Sequence, residues 1–109
     1  MKFEPSCTEK VVNPQLRFLS EAAEEAEAAR AWYEERDARV AFGFLEELDH
    51  AAAMVLEAPR RWPAHVAGTR RYIFPRFPFS LVYREYGGVI DVIAVAHHKR
   101  KPGYWKSRD

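Results

Sequence analysis

Three strand-like runs follow one another in the second half of this chain: Arg70–Phe74, Phe79–Glu85 and Val89–His97. Gly87-Gly88 sits between the last two. Two adjacent glycines accept the positive φ values of a tight hairpin, so those runs pair antiparallel. Pro75 and Pro78 bound an equally short connection between the first two. Strands joined this closely form an antiparallel meander, and the remainder of the chain must cover it.

The cover comes from the first half. Ala22, Ala26, Ala29 and Tyr33 recur at helical spacing, and predict a helix from an N-cap at Ser20 to about Arg36. Glu21, Glu24 and Glu25 would place negative charge in its first turn, where the helix dipole favours it. Val40, Phe44, Leu48, Ala52 and Val55 form a second stripe, with Ala41, Leu45 and Leu56 beside it. That helix ends before Pro59, because proline disfavours helix at Ala58. The gap between the helices is short, which predicts an antiparallel helical hairpin. Glu46, Glu47, Asp49 and His50 fall off the stripe, and the glutamates of both helices are expected to face solvent. Leu16–Leu19 reads as a short first strand and Arg60–Gly68 as a loop. Trp32, Tyr33 and Trp62 read as core. Residues 1–14, broken by Pro5 and Pro14, read as an extension, and residues 15–109 as one domain. The fold class is therefore α+β, a helical hairpin packed on a small antiparallel sheet.

Strict alternation along the last strand puts Val92, Ala94 and Ala96 on one face, and Ile93, Val95 and His97 on the other. Both faces are apolar, so the strand is central or covered twice. The hairpin covers one side. A folded-back tail or a partner chain must cover the other.

Composition narrows the function. The chain has 109 residues and a formal net charge of +1. That total hides a split. Met1–Glu57 holds six Lys/Arg and thirteen Asp/Glu, whereas Ala58–Asp109 holds eleven and three. A basic half attracts phosphate backbones. Cys7 is the only cysteine, which rules out an intramolecular disulfide and fits a reducing, cytoplasmic setting. The first residues lack the apolar core of a signal peptide, and no apolar run is long enough to span a membrane. His50, His65, His97 and His98 show no ligand spacing, so neither a metal nor any other cofactor is expected. Cys7, His50 and His65 read as structural or surface residues.

Four segments, in this order, resemble the RelE/ParE superfamily of bacterial type II toxins, also known as the plasmid stabilisation family. AARAWYEER is similar to that family's first helix. LEELDHAAAMVLEAPRRWP is similar to its second helix and exit loop. Arg70-Arg71 with RFPFSLVYR resembles its paired arginines and the next strand, and VIAVAHHKRKPGYWKSR its last strand and basic tail. The resemblance covers about Leu16 to Arg108, implies the same helical hairpin on a sheet, and implies a cognate antitoxin. Such an antitoxin would wrap this domain with a flexible acidic-to-amphipathic segment. The stretch before Leu16 is longer than the family's usual start. RelE-like members cleave mRNA, usually on the ribosome, and ParE-like members poison DNA gyrase.

The nuclease reading assigns residues by chemistry. Metal-free RNA cleavage needs a base, a charge stabiliser for the phosphate and an acid. Arg71 and Arg84 are the candidate catalytic arginines, since a guanidinium grips phosphate oxygens in pairs. His97 occupies the place of the histidine seen in many members, and Tyr104 matches the C-terminal tyrosine of RelE-like nucleases in position. Arg70, Arg76, His98, Lys99 and Arg100 are candidate RNA contacts. Each has a plainer alternative. The arginines could solvate an exposed sheet or pair with the acidic helices, His97 could cap its strand, Lys99–Lys101 could be a solvated run, and Tyr104 and Trp105 could fold back onto the core. Glu85 and Asp91 fit either a base or a surface carboxylate. The sequence therefore leads to a toxin that cleaves translating mRNA, with non-enzymatic gyrase inhibition as the alternative. The nuclease reading requires the positive side chains to converge on one concave surface, away from the glutamates.

Overall fold

A computed structural model describes residues 15–108. The expected extension and Cys7 lie outside them. Strand β1 (Leu16–Phe18) leads into helices α1 (Ser20–Arg36) and α2 (Ala38–Glu57). Strands β2 (Ala64–His65), β3 (Thr69–Ile73), β4 (Phe79–Tyr86) and β5 (Val89–His97) follow. The sheet order is β1-β5-β4-β3-β2. The β2–β5 meander is antiparallel, as its short turns require. β1 instead runs parallel to β5, pairing Leu16 with Ile90, so the five-stranded sheet is mixed. β2 lies within the segment expected to be loop. Among the described residues no helix is long and apolar enough to cross a membrane.

Asp37 alone separates the helices. Its extended backbone (φ −167°, ψ 114°) ends α1, and its carboxylate accepts the Arg39 N–H to start α2. Leu19, not Ser20, is the cap of α1. The Leu19 N–H donates to the Val92 carbonyl at 3.0 Å, prolonging the β1–β5 pairing, so the helix begins one residue early. Ser20 turns its hydroxyl to Glu21 instead.

The core lies between the hairpin and one sheet face. Ala22, Ala26 and Ala29 let α1 approach closely, while Phe44 of α2 packs among Tyr33, Phe74, Phe77 and Phe79. Burying one such aromatic is worth about 2–3 kcal/mol. Tyr83 is fully buried here and donates to the Pro59 carbonyl, and burial pushes its pKa to about 12. Trp62 packs against the same core and donates its indole N–H to the Met54 carbonyl.

Trp32 departs from its expected place. It is 53% exposed, edge-on to Tyr33, and carries the Arg36 guanidinium 3.5 Å above its ring. One residue of helix turns ~100°, which carries position 32 off the alanine face. The α2 stripe is rotated likewise. Its buried members are Ala41, Phe44, Leu48, Ala51 and Val55, with Val40 and Leu45 exposed.

That rotation buries Glu47, contrary to the expectation of a solvent-facing carboxylate. Its oxygens accept the Arg76 N–H at 2.7 Å, the Arg76 Nε at 2.9 Å and the Phe77 N–H at 3.3 Å. Glu47 thereby pins the turn between β3 and β4 onto α2. Burial opposes ionisation of Glu47, but the Arg76 and Phe77 donors outweigh it and hold the carboxyl below the usual range.

The last strand does not alternate strictly. A β-bulge lies opposite Val82/Tyr83, where Val82 pairs with Ala94 but Tyr83 pairs with Val92. The extra residue is Ile93, and it resets the faces. Val92 and Val95 join the helix-side core, whereas Ile93, Ala94 and Ala96 join Val82 and Trp105 on the outer face. The expected grouping of Val92 with Ala94 and Ala96 is thus corrected. The outer face is covered by the tail itself, with Trp105 2% exposed.

A carboxyl held below its unfolded value near pH 4.3 contributes stability above that pH and loses it as the pH falls through the folded value. Glu47→Gln should therefore lower the denaturant midpoint at pH 7, by an amount equivalent to about 1–3 kcal/mol. It should also flatten the parent's loss of stability on acidification below pH ~4.5. Denaturation curves at a series of pH values measure both.

Candidate functional site

β5 ends at His97, and the chain then crosses the end of the sheet through Lys99–Lys101 to the tail. Two recesses flank this crossing. On the helix side lies a groove of about 600 Å³, lined by Glu25, Ala28, Trp32 and Tyr33 of α1, by Phe79, and by His97 and Arg100, among others. On the outer face lies a cavity of about 90 Å³, lined by Arg71, His65, Ser80, His98, Arg100 and Trp105 among others. His97 and Arg100 border both.

Glu25 organises the crossing. Its carboxylate accepts the Tyr104 hydroxyl at 2.7 Å and both Arg108 terminal nitrogens at 3.0 Å. It also accepts the Val95 backbone N–H at 3.0 Å, and lies 3.6 Å from Arg100. Arg108 reaches the Ile93 carbonyl as well. The Arg100 guanidinium stacks 3.7 Å from the centre of the Tyr104 ring, and Arg108 approaches it from 5.1 Å. The tail is thus clamped by one helix carboxylate, two arginines and a sandwiched tyrosine. Burial, reinforced by the Glu25 hydrogen bond and charge, pushes the Tyr104 pKa far above the usual tyrosine range.

Against this geometry the expected site residues divide. Arg71 and Arg100 line the outer cavity with His97 and His98. His97 faces the helix side, edge-on to Phe79 at 5.0 Å. Its Nδ1 accepts the Lys99 N–H at 3.0 Å, which leaves the ring proton on Nε2. Burial, then the charges of Lys99 and His98, lower its pKa, so the ring is neutral at pH 7. His98 points to the other face, with Nε2 3.0 Å from the Ser80 hydroxyl. Arg84 lies elsewhere. It sits five residues along β4 from Phe79, the partner of His97, or ~17 Å, and donates to the Ala67 carbonyl. Arg70 donates to the Trp62 carbonyl, and Arg76 pairs with Glu47. Lys99 is exposed. Asp91 binds Arg17 and Glu85 binds Arg60, so both carboxylates sit in ion pairs. The positive side chains do not converge on one surface, and a glutamate lies at the centre of the tail cluster.

Sequence reasoning missed Glu25, Arg108, His65 and Ser80. A signal for Glu25 was present. It lies three residues after Ala22 and four before Ala29, which places it on the buried face of α1.

Removing one partner of a largely buried charge cluster costs about 3–5 kcal/mol. Glu25→Ala should release the tail. Backbone amides of residues 101–108 should exchange with deuterium far faster than in the parent, while those of β4 stay protected.

A family model described as "ParE toxin of type II toxin-antitoxin system, parDE" matches residues 16–102. Among solved structures, a chain of the chromosomal ParDE toxin–antitoxin system from P. aeruginosa aligns with a TM-score of 0.68 at 18% identity. The alignment covers 76% of this chain and 94% of that one. At this identity the likeness shows the fold alone. No curated protein matches the chain. The family model spans most of the described residues, so this chain belongs to the ParE toxin family of type II toxin–antitoxin systems.

Proposed function

We propose that this toxin arrests growth by binding DNA gyrase, without cutting RNA. The observation that carries the reading is the capture of Tyr104. Its hydroxyl is donated to Glu25, its ring is sandwiched by Arg100 and Arg108, and its pKa is raised. A general acid must be able to hand over its proton near neutral pH, and Tyr104 is held against doing so. Arg84 is too distant to share a phosphate with His97. The nuclease reading thus lacks an acid, and one of its two catalytic arginines stands apart. ParE-like members of the superfamily act on gyrase and need no such constellation.

Membership of a toxin–antitoxin system implies a cognate antitoxin. The groove between α1 and the end of β5 suits the apolar face of an amphipathic segment of it. The walls are mainly apolar, exposed Trp32 is one of them, and Arg100 at the rim lies 3.6 Å from Glu25, which also lines the groove. An antitoxin and gyrase would both be met in the cytoplasm, which supports that location for the toxin.

Purified toxin should inhibit gyrase supercoiling and accumulate cleaved DNA, while messages in a translation extract stay whole. His97→Ala and Tyr104→Phe should each change the inhibition by less than about threefold, because acid–base groups that matter contribute ~10²–10⁴-fold. Message fragments that disappear in the His97→Ala variant would restore the nuclease reading.

A further inference from the structure

We propose that the cavity on the outer face of the sheet is a binding site for a phosphate group, gripped by Arg71 and the indole N–H of Trp105. Four observations lead there. First, the cavity is lined by donors. Arg71, His65, Ser80, His98, Arg100 and Trp105 all contribute, and none of the residues lining it is a carboxylate. Second, Trp105 is 2% exposed, yet its Nε1 is the buried side-chain nitrogen without a hydrogen-bond partner among the described residues. A buried donor left unpaired costs about 1–3 kcal/mol, which a bound acceptor recovers. Third, the Arg71 guanidinium has no ion pair within the described residues, whereas Arg17, Arg30, Arg60, Arg76 and Arg108 each meet a carboxylate. Fourth, the cavity, of about 90 Å³, is large enough to admit a tetrahedral oxyanion.

The surroundings favour a dianion over a carboxylate. Arg71 and Arg100 both border the cavity, Arg100 at its rim 3.6 Å from Glu25 and Arg71 with no carboxylate beside it among the described residues. The Ser80 hydroxyl, 2% exposed and 3.0 Å from His98 Nε2, completes the set. When His98 donates to the Ser80 oxygen, the hydroxyl hydrogen is free to turn to the anion. His65 stacks on the Trp105 ring at 5.3 Å and holds the indole in place. Burial and then the Arg71 charge lower the His65 pKa. The floor is apolar, formed by Val82 and Ala96, and Ser80 and Trp105 beside it are buried, whereas His98 and Arg100 stand at the open rim. Free inorganic phosphate and a terminal phosphate ester present the same oxygens. This site is independent of the gyrase reading, since neither assay above involves it.

The test is a titration of the whole chain followed by ¹H–¹⁵N correlation at pH 7 and constant ionic strength. The indole signal of Trp105 is assigned against Trp32→Phe and Trp62→Phe. Inorganic phosphate should move it saturably, and acetate should not. A nucleoside 5′-monophosphate that saturates at the same concentration identifies an ester-bearing ligand, and one that fails identifies the free anion. Arg71→Met should weaken binding about tenfold or more, and Arg84→Met, outside the cavity, should leave it unchanged. Arg71→Lys keeps the charge but loses the fork, so it should also bind more weakly even if the methionine variant folds poorly. An indole signal that ignores phosphate, that moves equally with acetate, or that titrates in Arg71→Lys as in the parent would overturn the proposal.

Discussion

A single carboxylate on the first helix holds the two ends of this fold together. Glu25 belongs to α1, yet it bonds Val95 in the last strand and Tyr104 and Arg108 in the tail. Burying a carboxylate is costly unless its lone pairs are filled. Here backbone, hydroxyl and guanidinium donors fill them, so the position tolerates a charge beneath the tail. The same bonds decide where Trp105 goes. With Tyr104 and Arg108 fixed on either side, its ring is laid over Val82, Ile93, Ala94 and Ala96 and closes the outer face. The positive charge that suggested a nucleic-acid surface is partly spent inside the molecule.

The bulge at Ile93 works with this clamp. Without the extra residue, Val95 would turn away from the helices and Ala94 toward them. With it, the helix side receives Val92 and Val95, and the outer side receives Ile93, Ala94 and Ala96. Alanines at 94 and 96 leave depth for an indole. The tail's aromatic, the register shift and the helix carboxylate are therefore one packing solution. His97 and Arg100 border both recesses because they lie where that solution turns the corner.

Much of this was legible in the residues. The three C-terminal strands matched to within a residue or two, since Gly87-Gly88 and the paired prolines dictate their turns. The helical hairpin followed from two apolar stripes, and the folded-back tail was one of two covers the apolar last strand demanded. What failed was treating every glutamate as solvent-facing. Glu25 sits in register with Ala22 and Ala29, and Glu47 with Phe44 and Ala51, so spacing rather than charge decides which face they take. The bulge was invisible for another reason. Its position depends on how β4 pairs with β5, and nothing local in VIDVIAVAH marks Ile93 as the extra residue. β1 offers a similar case, because three residues cannot say which neighbour they will join or in which direction. The candidate site was half legible. Arg71, His97, His98 and Arg100 do meet at the end of β5, whereas Arg84 and Tyr104 are committed elsewhere by long-range contacts.

The most direct test of the Glu25 clamp is a double-mutant cycle between Glu25→Gln and Arg108→Met, read by chemical denaturation. Groups that share a buried charge network couple by about 0.5–3 kcal/mol, and the two bonds at 3.0 Å place this pair toward the upper end. A coupling of about 2 kcal/mol is the predicted result. Independent losses that simply add would mean the tail is held by its aromatics alone, and would contradict the account.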